Sequence, residues 1–491
     1  MTVPGSVLRP ASPAGRRLRL AAGLGFTLVL IGAPLNFGST RAGGPEWLTA
    51  GCTAATLLWL ASLAGGGPRL RLPRLAVACV ALLTLAAVPW IFGWATPTAA
   101  TPFTQTHFAH VAARWPSSIV WRTPANTLAL TLALAASALA LMDLARTRAW
   151  ALTFSLALAG TAVAVGLLAL LQNYTHATGI YWRNDGRMPG NFCGTFYHHT
   201  AAGAYFNTAW PLAVALTWSA WSQPQPTSAM RVLAWAGLLG TILLLAAHGS
   251  HVSRFPQVAA LLVAPFLLRS LPFGGHRRWL LAGGAATAVV LLVLVAGRTA
   301  EIGARWRLIL VDAVTPSAPL QPPESAWPAL IRDDLFIPGT SHDGWWGDRG
   351  EGWRTALRSI ADRPLFGHGP GNWMGAASHH TSDPFVRTFF QFLQFAHQDV
   401  LQFAVEWGVP ATLGWWGLLA GALGAFLCSR RAHRPLEIAA ACGLAAVLLQ
   451  AQLDFPLQMP AVALNVVVLA ALCWAASGDP LPETAPVAAR A

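Results

Sequence analysis

Runs of about twenty apolar residues recur along this chain, and a helix crossing a bilayer core about 30 Å thick needs about that many. They fall at 20–38, 46–64, 75–94, 125–143, 150–171, 199–220, 231–248, 255–270, 279–297, 409–428, 436–453 and 458–476. Hydrocarbon offers no partners to backbone N–H and C=O groups, so each run must satisfy its own as a helix. The expected fold is therefore an all-α polytopic membrane protein of about twelve transmembrane helices. Only 10% of the 491 residues are charged, against about 25% in soluble domains.

The basic residues orient these spans. All 32 are Arg, and the formal net charge is +13. That balance can signal nucleic acid, but here the Arg residues sit in short hinges between apolar runs, which marks topology rather than a nucleic-acid groove. With the N-terminus inside, the inner segments hold Arg69, Arg71 and Arg74; Arg146 and Arg148; Arg231; Arg269, Arg277 and Arg278; and Arg430, Arg431 and Arg434. The opposite short loops hold few, with Arg41 after the first span and none near 454–457. Both termini are thus expected inside. Arg16, Arg17 and Arg19 precede the first run, which lacks a clear small-residue cleavage site and reads as a retained helix. The six Cys are scattered, with no CxxC, and read as small core residues.

Three outer segments break the sparse pattern: 95–124, 172–198 and 298–398. The chain accordingly divides into N-terminal membrane helices (1–297, about nine spans), a large outer loop (298–398), C-terminal membrane helices (399–478, about three spans) and an inner tail (479–491). A loop this long is a common place for function.

Within it, Gly352–Asp362 has Trp353, Ala356, Leu357 and Ile360 at helical spacing, which predicts a short amphipathic helix with those four on its apolar face. Arg363-Pro364 ends it. The run Gly367-His368-Gly369-Pro370-Gly371 fits either an anion-cradling turn or a tight structural one. Asp383-Pro384 reads as a helix start. The stretch from Phe385 to Glu406 then reads as one helix, with Gln391, Gln394, Gln398, Gln402 and Glu406 sharing a polar face and His397 at its edge. Gly408 and Pro410 end it. Polar groups entering a membrane face a cavity or a partner. Arg254, in a short outer hinge between two spans, suits either a headgroup anchor or a substrate anion, and Arg187 precedes another span in the same way.

Four stretches together resemble the bacterial family of O-antigen ligases, O-antigen polymerases and related protein oligosaccharyltransferases. They are Gly194-Thr195-Phe196-Tyr197-His198-His199; Ser253-Arg254; Trp353 through Asn372; and Ala396-His397-Gln398-Asp399-Val400-Leu401-Gln402 with Glu406-Trp407-Gly408. Family members commonly have Asn after the motif His, where this chain has Gln398. The resemblance spans about residues 180–415. It implies a GT-C-like, metal-independent and cofactor-free transferase of the inner membrane. Such an enzyme moves a glycan from an undecaprenyl-diphosphate carrier to an acceptor glycan, lipid A core or protein at the periplasmic face. On this mapping His397 is catalytic, while Arg254 and Arg187 (or Arg183) bind the diphosphate. Glu406, Gln402, Gln398, Arg183 and His199 are supporting residues.

That assignment makes chemical sense. Arg offers permanent charge and paired donors to a departing diphosphate, and His titrates near neutrality, as a base for an acceptor hydroxyl requires. Asp333-Asp334 reads as a solvated loop pair rather than a metal site. Two other readings compete: a carrier of a small anion such as bicarbonate, and a non-catalytic scaffold. A carrier built from repeats would show related halves, whereas the halves here look unlike and the longest loop is outside. A scaffold gives no reason for the His and Arg set.

Overall fold

The computed structural model describes residues 12–65, 70, 72–91, 94–95, 117–118, 122–183, 192–223, 225, 227–250, 253–271, 344–379, 395–429 and 434–477. The described chain is helical apart from short turns and a two-residue parallel strand pair, Trp94–Ala95 with Ser117–Ser118. In order the helices are α1 (Pro13–Leu35), α2 (Gly44–Ala64), α3 (Arg74–Ile91), α4 (Arg122–Ala145), α5 (Arg148–Tyr174), α6 (His199–Trp221), α7 (Ser228–Ser250), α8 (Arg254–Ser270), α9 (Gly344–Asp362), α10 (Trp373–His379), α11 (Asp399–Cys428), α12 (Pro435–Gln450) and α13 (Pro460–Ser477). Eight of these, α1–α5, α7, α11 and α13, are long and apolar enough to cross a membrane. Helices α6, α8 and α12 occupy three more of the runs read from sequence. The run at 279–297, most of the 298–398 loop, Asp333-Asp334 and Arg187 lie outside the described residues.

Helix α13 is the centre of the bundle. Small Ala and Val side chains bury it along nearly its whole length, against α4, α6, α11 and α12. Lipid tails are as apolar as these side chains, so close backbone approach is what holds such helices together. Gly414 gives a clear case: a β-carbon there would lie 2.7 Å from the Leu83 amide nitrogen, so α11 and α3 touch backbone to backbone. The outer face of α1 shows the opposite pattern, with Leu20, Leu24, Leu28, Ile31 and Leu35 exposed along one stripe. Inside the bundle, Arg19 pairs with the Asp143 carboxylate. The guanidinium also donates to Asp143 O at 3.0 Å, and Trp59 Nε1 donates to Asp143 Oδ2 at 2.8 Å.

A second, smaller core joins α9, α10 and the start of α11. It contains Ala356, Trp373, Ala376, Ala377, Ala396 and Val405, with Ile360 and Leu401 against it. The expected helix at 352–362 is present as part of α9. Its buried side is rotated from the expected one: Gly352, Thr355, Ala356 and Ser359 are buried, while Leu357 is 58% exposed. Ala356 and Ile360 still meet the small core, as expected.

The continuous helix expected from Phe385 to Glu406 is not found where the chain is described. Residues 395–398 are non-helical and α11 begins at Asp399, while 380–394 lie outside the described residues. Gln398 is the helix cap, its side chain accepting from the Leu401 amide. Capping satisfies an otherwise orphaned helix N–H, and it takes Gln398 off the supposed helical stripe. His397 adopts φ +52° and belongs to a left-handed turn. The expected break at Gly408 is real, at φ +81° and ψ 169° inside α11.

Candidate active site

The starts of three helices gather at one end of the bundle, and they hold most of the residues singled out from sequence. Ser253, the cap of α8 immediately before Arg254, places its hydroxyl 3.4 Å from Thr200 Oγ1 at the start of α6. The Thr200 carbonyl accepts from Gln450 Nε2 at 3.1 Å, at the end of α12. One residue on, the Ala451 carbonyl accepts from the Asp399 amide at 3.0 Å, at the start of α11. Arg254, His199 and His397 are therefore each within two residues of this chain of bonds. Helix N-termini carry partial positive charge. Three of them with an Arg form a setting suited to an anion.

His397 is set by its surroundings. Its Nδ1 lies 3.4 Å from Asp454 Oδ1, an ion-pair distance slightly long for a hydrogen bond. The ring is 23% exposed and the carboxylate 3%. Phe455 packs against the imidazole in a T-shaped contact, with centroids 4.9 Å apart at 78°. Among the described residues Phe455 also meets two further rings, Phe395, stacked at 4.2 Å, and His198, T-shaped at 6.0 Å. His199 is thus one residue from a ring that shares this aromatic partner. Asp399 anchors the same hinge: its carboxylate accepts from the Leu457 amide at 2.8 Å and from Gln458 Nε2 at 2.9 Å.

Sequence reasoning missed Asp454 and Phe455. Asp454 is the acid of the short hinge 454–457 between two apolar runs, and an acid in a hinge that short was the signal available.

Behind His397 the other motif residues form a continuous set of bonds. Gln402 Oε1 accepts from the Ala396 amide at 2.9 Å, and Gln402 Nε2 donates to Glu406 Oε1 at 3.0 Å. Glu406 Oε2 accepts from the Gly371 amide at 2.8 Å. The glycine run is therefore a turn docked on a protein carboxylate. The His368 and Gly369 amides donate to Val405 O (2.8 Å) and Glu406 O (2.9 Å), and the Val409 amide donates to Pro364 O (2.7 Å). Gly367, at φ +70°, allows this approach, because a β-carbon there would lie 2.5 Å from the Glu406 carbonyl carbon. Gln402 and Glu406 thus stand behind the His397 turn, with Gln398 capping the start of their helix.

The expected arginines divide. Arg254 is at the site, half-buried at the first turn of α8. Arg183 is exposed and sits beside Tyr181; burial pushes the Tyr181 phenol above its ordinary pKa, and the Arg183 charge opposes that shift. Tyr181 Oη donates to Leu35 O at 2.6 Å, so Arg183 lies towards the end of α1, and the described contacts of His397 do not include it. The Gly194-Thr195-Phe196 turn is wedged between helices. Thr195 Oγ1 donates to Pro34 O at 2.7 Å, and a β-carbon on Gly194 (φ +71°) would lie 2.6 Å from Val165 O.

Comparison with curated proteins gives no match. Residues 238–416 match the family model described as O-antigen ligase. That segment includes Arg254, the glycine turn, His397, Gln402 and Glu406, and ends before Asp454. Over residues 238–416 the chain carries the domain of the O-antigen ligase family.

Proposed function

We infer that the protein is a membrane glycan transferase. Its donor is a glycan on an undecaprenyl-diphosphate carrier, and its acceptor is a glycan, lipid A core or protein hydroxyl or amide at the periplasmic face. The observation that carries this reading is the meeting of the His397–Asp454 pair with the Arg254 helix start at one end of the bundle.

In this reading His397 takes the proton from the acceptor as its oxygen or nitrogen attacks the anomeric carbon. The bond from that carbon to the carrier's diphosphate oxygen breaks, and the diphosphate leaves with the electron pair. Arg254 meets the charge that develops there, where preorganised donors are worth most. Arg187, or Arg183 in its place, supplies a second cation. These cations do the work a metal ion performs in other diphosphate chemistry. Asp454 faces Nδ1, fixes the orientation of the ring and stabilises the imidazolium that forms, as a carboxylate does in a Ser-His-Asp triad. A long Nδ1 contact is ordinary before substrate binds. The family match lends no support to an anion carrier.

The test uses the full chain reconstituted in vesicles with radiolabelled undecaprenyl-diphosphate-linked oligosaccharide and acceptor-bearing membranes. Release of undecaprenyl diphosphate that depends on His397 supports transfer. Bicarbonate flux with no glycan transfer refutes it.

A further inference from the structure

The catalytic turn and the glycine turn are far apart in sequence yet joined through two side chains. Gly371 N–H points at Glu406 Oε2 (2.8 Å), Glu406 Oε1 receives Gln402 Nε2 (3.0 Å), and Gln402 Oε1 receives the Ala396 amide (2.9 Å). Ala396 is the residue before His397, whose φ of +52° is a conformation that non-glycine residues hold only when neighbours enforce it. Glu406 and Gln402 are each 2% exposed, and the Ala396 methyl is in the small core with Trp373 and Val405.

Donor and acceptor roles are fixed along the whole line. Both oxygens of Glu406 take N–H groups, and a further bond comes from the Trp373 backbone. Gln402 must therefore turn its NH2 towards Glu406, which leaves its oxygen for Ala396. A carboxylate at 406 thus dictates the amide orientation at 402, and that orientation supplies the acceptor that holds the His397 turn.

We propose that Glu406 is a positioning residue for His397, acting through Gln402, so that docking of the glycine turn sets the placement of the catalytic ring. This rests on the transferase reading above. Glu406 takes no proton from substrate and touches none of the reacting atoms. The plain alternative is that Glu406 only fastens the loop to α11, and the two ideas differ in what they predict for turnover.

The experiment exchanges the two residues. In Glu406→Gln one of two donors loses its acceptor. With the new oxygen on the Gly371 amide, the new NH2 faces the NH2 of Gln402, and relief by turning Gln402 strips the acceptor from Ala396. Turned round, the new NH2 faces the Gly371 amide and the glycine turn loses its dock. In the double variant Glu406→Gln with Gln402→Glu, the carboxylate now at position 402 accepts from the Ala396 amide and from the carboxamide NH2 now at position 406. The oxygen of that carboxamide accepts from the Gly371 amide. Every bond of the line is remade with the charge moved one helical turn.

Wild type, the two single variants and the double variant are assayed as full chains. The membranes come from host cells lacking the endogenous copy, with radiolabelled undecaprenyl-diphosphate-linked oligosaccharide as donor. The expected result is a loss in kcat of roughly 10–100-fold for Glu406→Gln, the scale of a small misplacement of a catalytic group. Donor KM stays within about twofold, and the double variant regains most of the rate. If Glu406→Gln does not accumulate in the membrane, Gln402→Met breaks the same line at its middle, with the same loss expected.

Wild-type kcat in Glu406→Gln or Gln402→Met overturns the proposal. So does a double variant that melts with wild type yet turns over as slowly as Glu406→Gln. Wild type and His397→Ala run alongside: failure of wild type to transfer refutes the transferase reading itself, whereas His397-dependent transfer that ignores position 406 refutes only this inference.

Discussion

His397 is held in a backbone conformation that its own β-carbon resists, at a cost of about 1–3 kcal/mol supplied by its surroundings. Ala396 is tied behind it, Phe455 packs perpendicular to the ring, and Asp454 faces Nδ1. Asp454→Asn keeps the size of the side chain and removes its charge. Glycan transfer in that variant is expected to fall roughly 100-fold, as for a misdirected catalytic group, with the amount of protein in the membrane unchanged. A rate within about twofold of wild type would remove Asp454 from the mechanism. His397 stood out in sequence through its motif, but its geometry did not. Helical periodicity placed it on a helix edge, whereas the Gln398 cap starts α11 only at Asp399. Asp454 stood out only as an acid in a short hinge; its link to His397 was illegible because it is made in space, across the hinge between α12 and α13, and no local spacing records it.

Between elements, the break in α11 and the glycine turn fit together as backbone surfaces. Gly408 at φ +81° sits where a β-carbon would lie 2.3 Å from Leu365 O, and that atom is backbone with little room to yield. Gly408→Ala adds the strain of a left-handed alanine to this clash and is expected to cost at least about 1–3 kcal/mol. A lowered melting temperature in detergent checks this. By contrast Leu357→Ser, on the exposed side of α9, should stay within about 0.5 kcal/mol of wild type. The break at Gly408 was readable because Gly and Pro two residues apart interrupt an apolar run. The buried face of α9 was not, since the buried Thr355 and Ser359 carry no hydrophobic signature.

Across the whole molecule, the positions of the membrane helices were largely written in the apolar runs, because hydrocarbon leaves the backbone no other choice. The polar links between helices were not. Arg19 read only as one of three Arg residues ahead of the first apolar run, yet it is buried to 12% exposure against Asp143, at 2%, with Trp59 also donating to the carboxylate. Asp143→Ala leaves that guanidinium without its carboxylate in the bundle and is expected to cost about 3–5 kcal/mol, read as a fall in melting temperature and in membrane yield. Arg254 and His397 are separated by more than a hundred residues, and only the packing of α8 on α6 and α12 brings their helix starts to one end of the bundle. The most direct test of that convergence is glycan product in host cells lacking the endogenous copy. These cells carry wild type, His397→Ala or Arg254→Ala at matched membrane levels. Both variants are predicted to be folded and to make almost no product; wild-type amounts of product from both would contradict the assignment of this site.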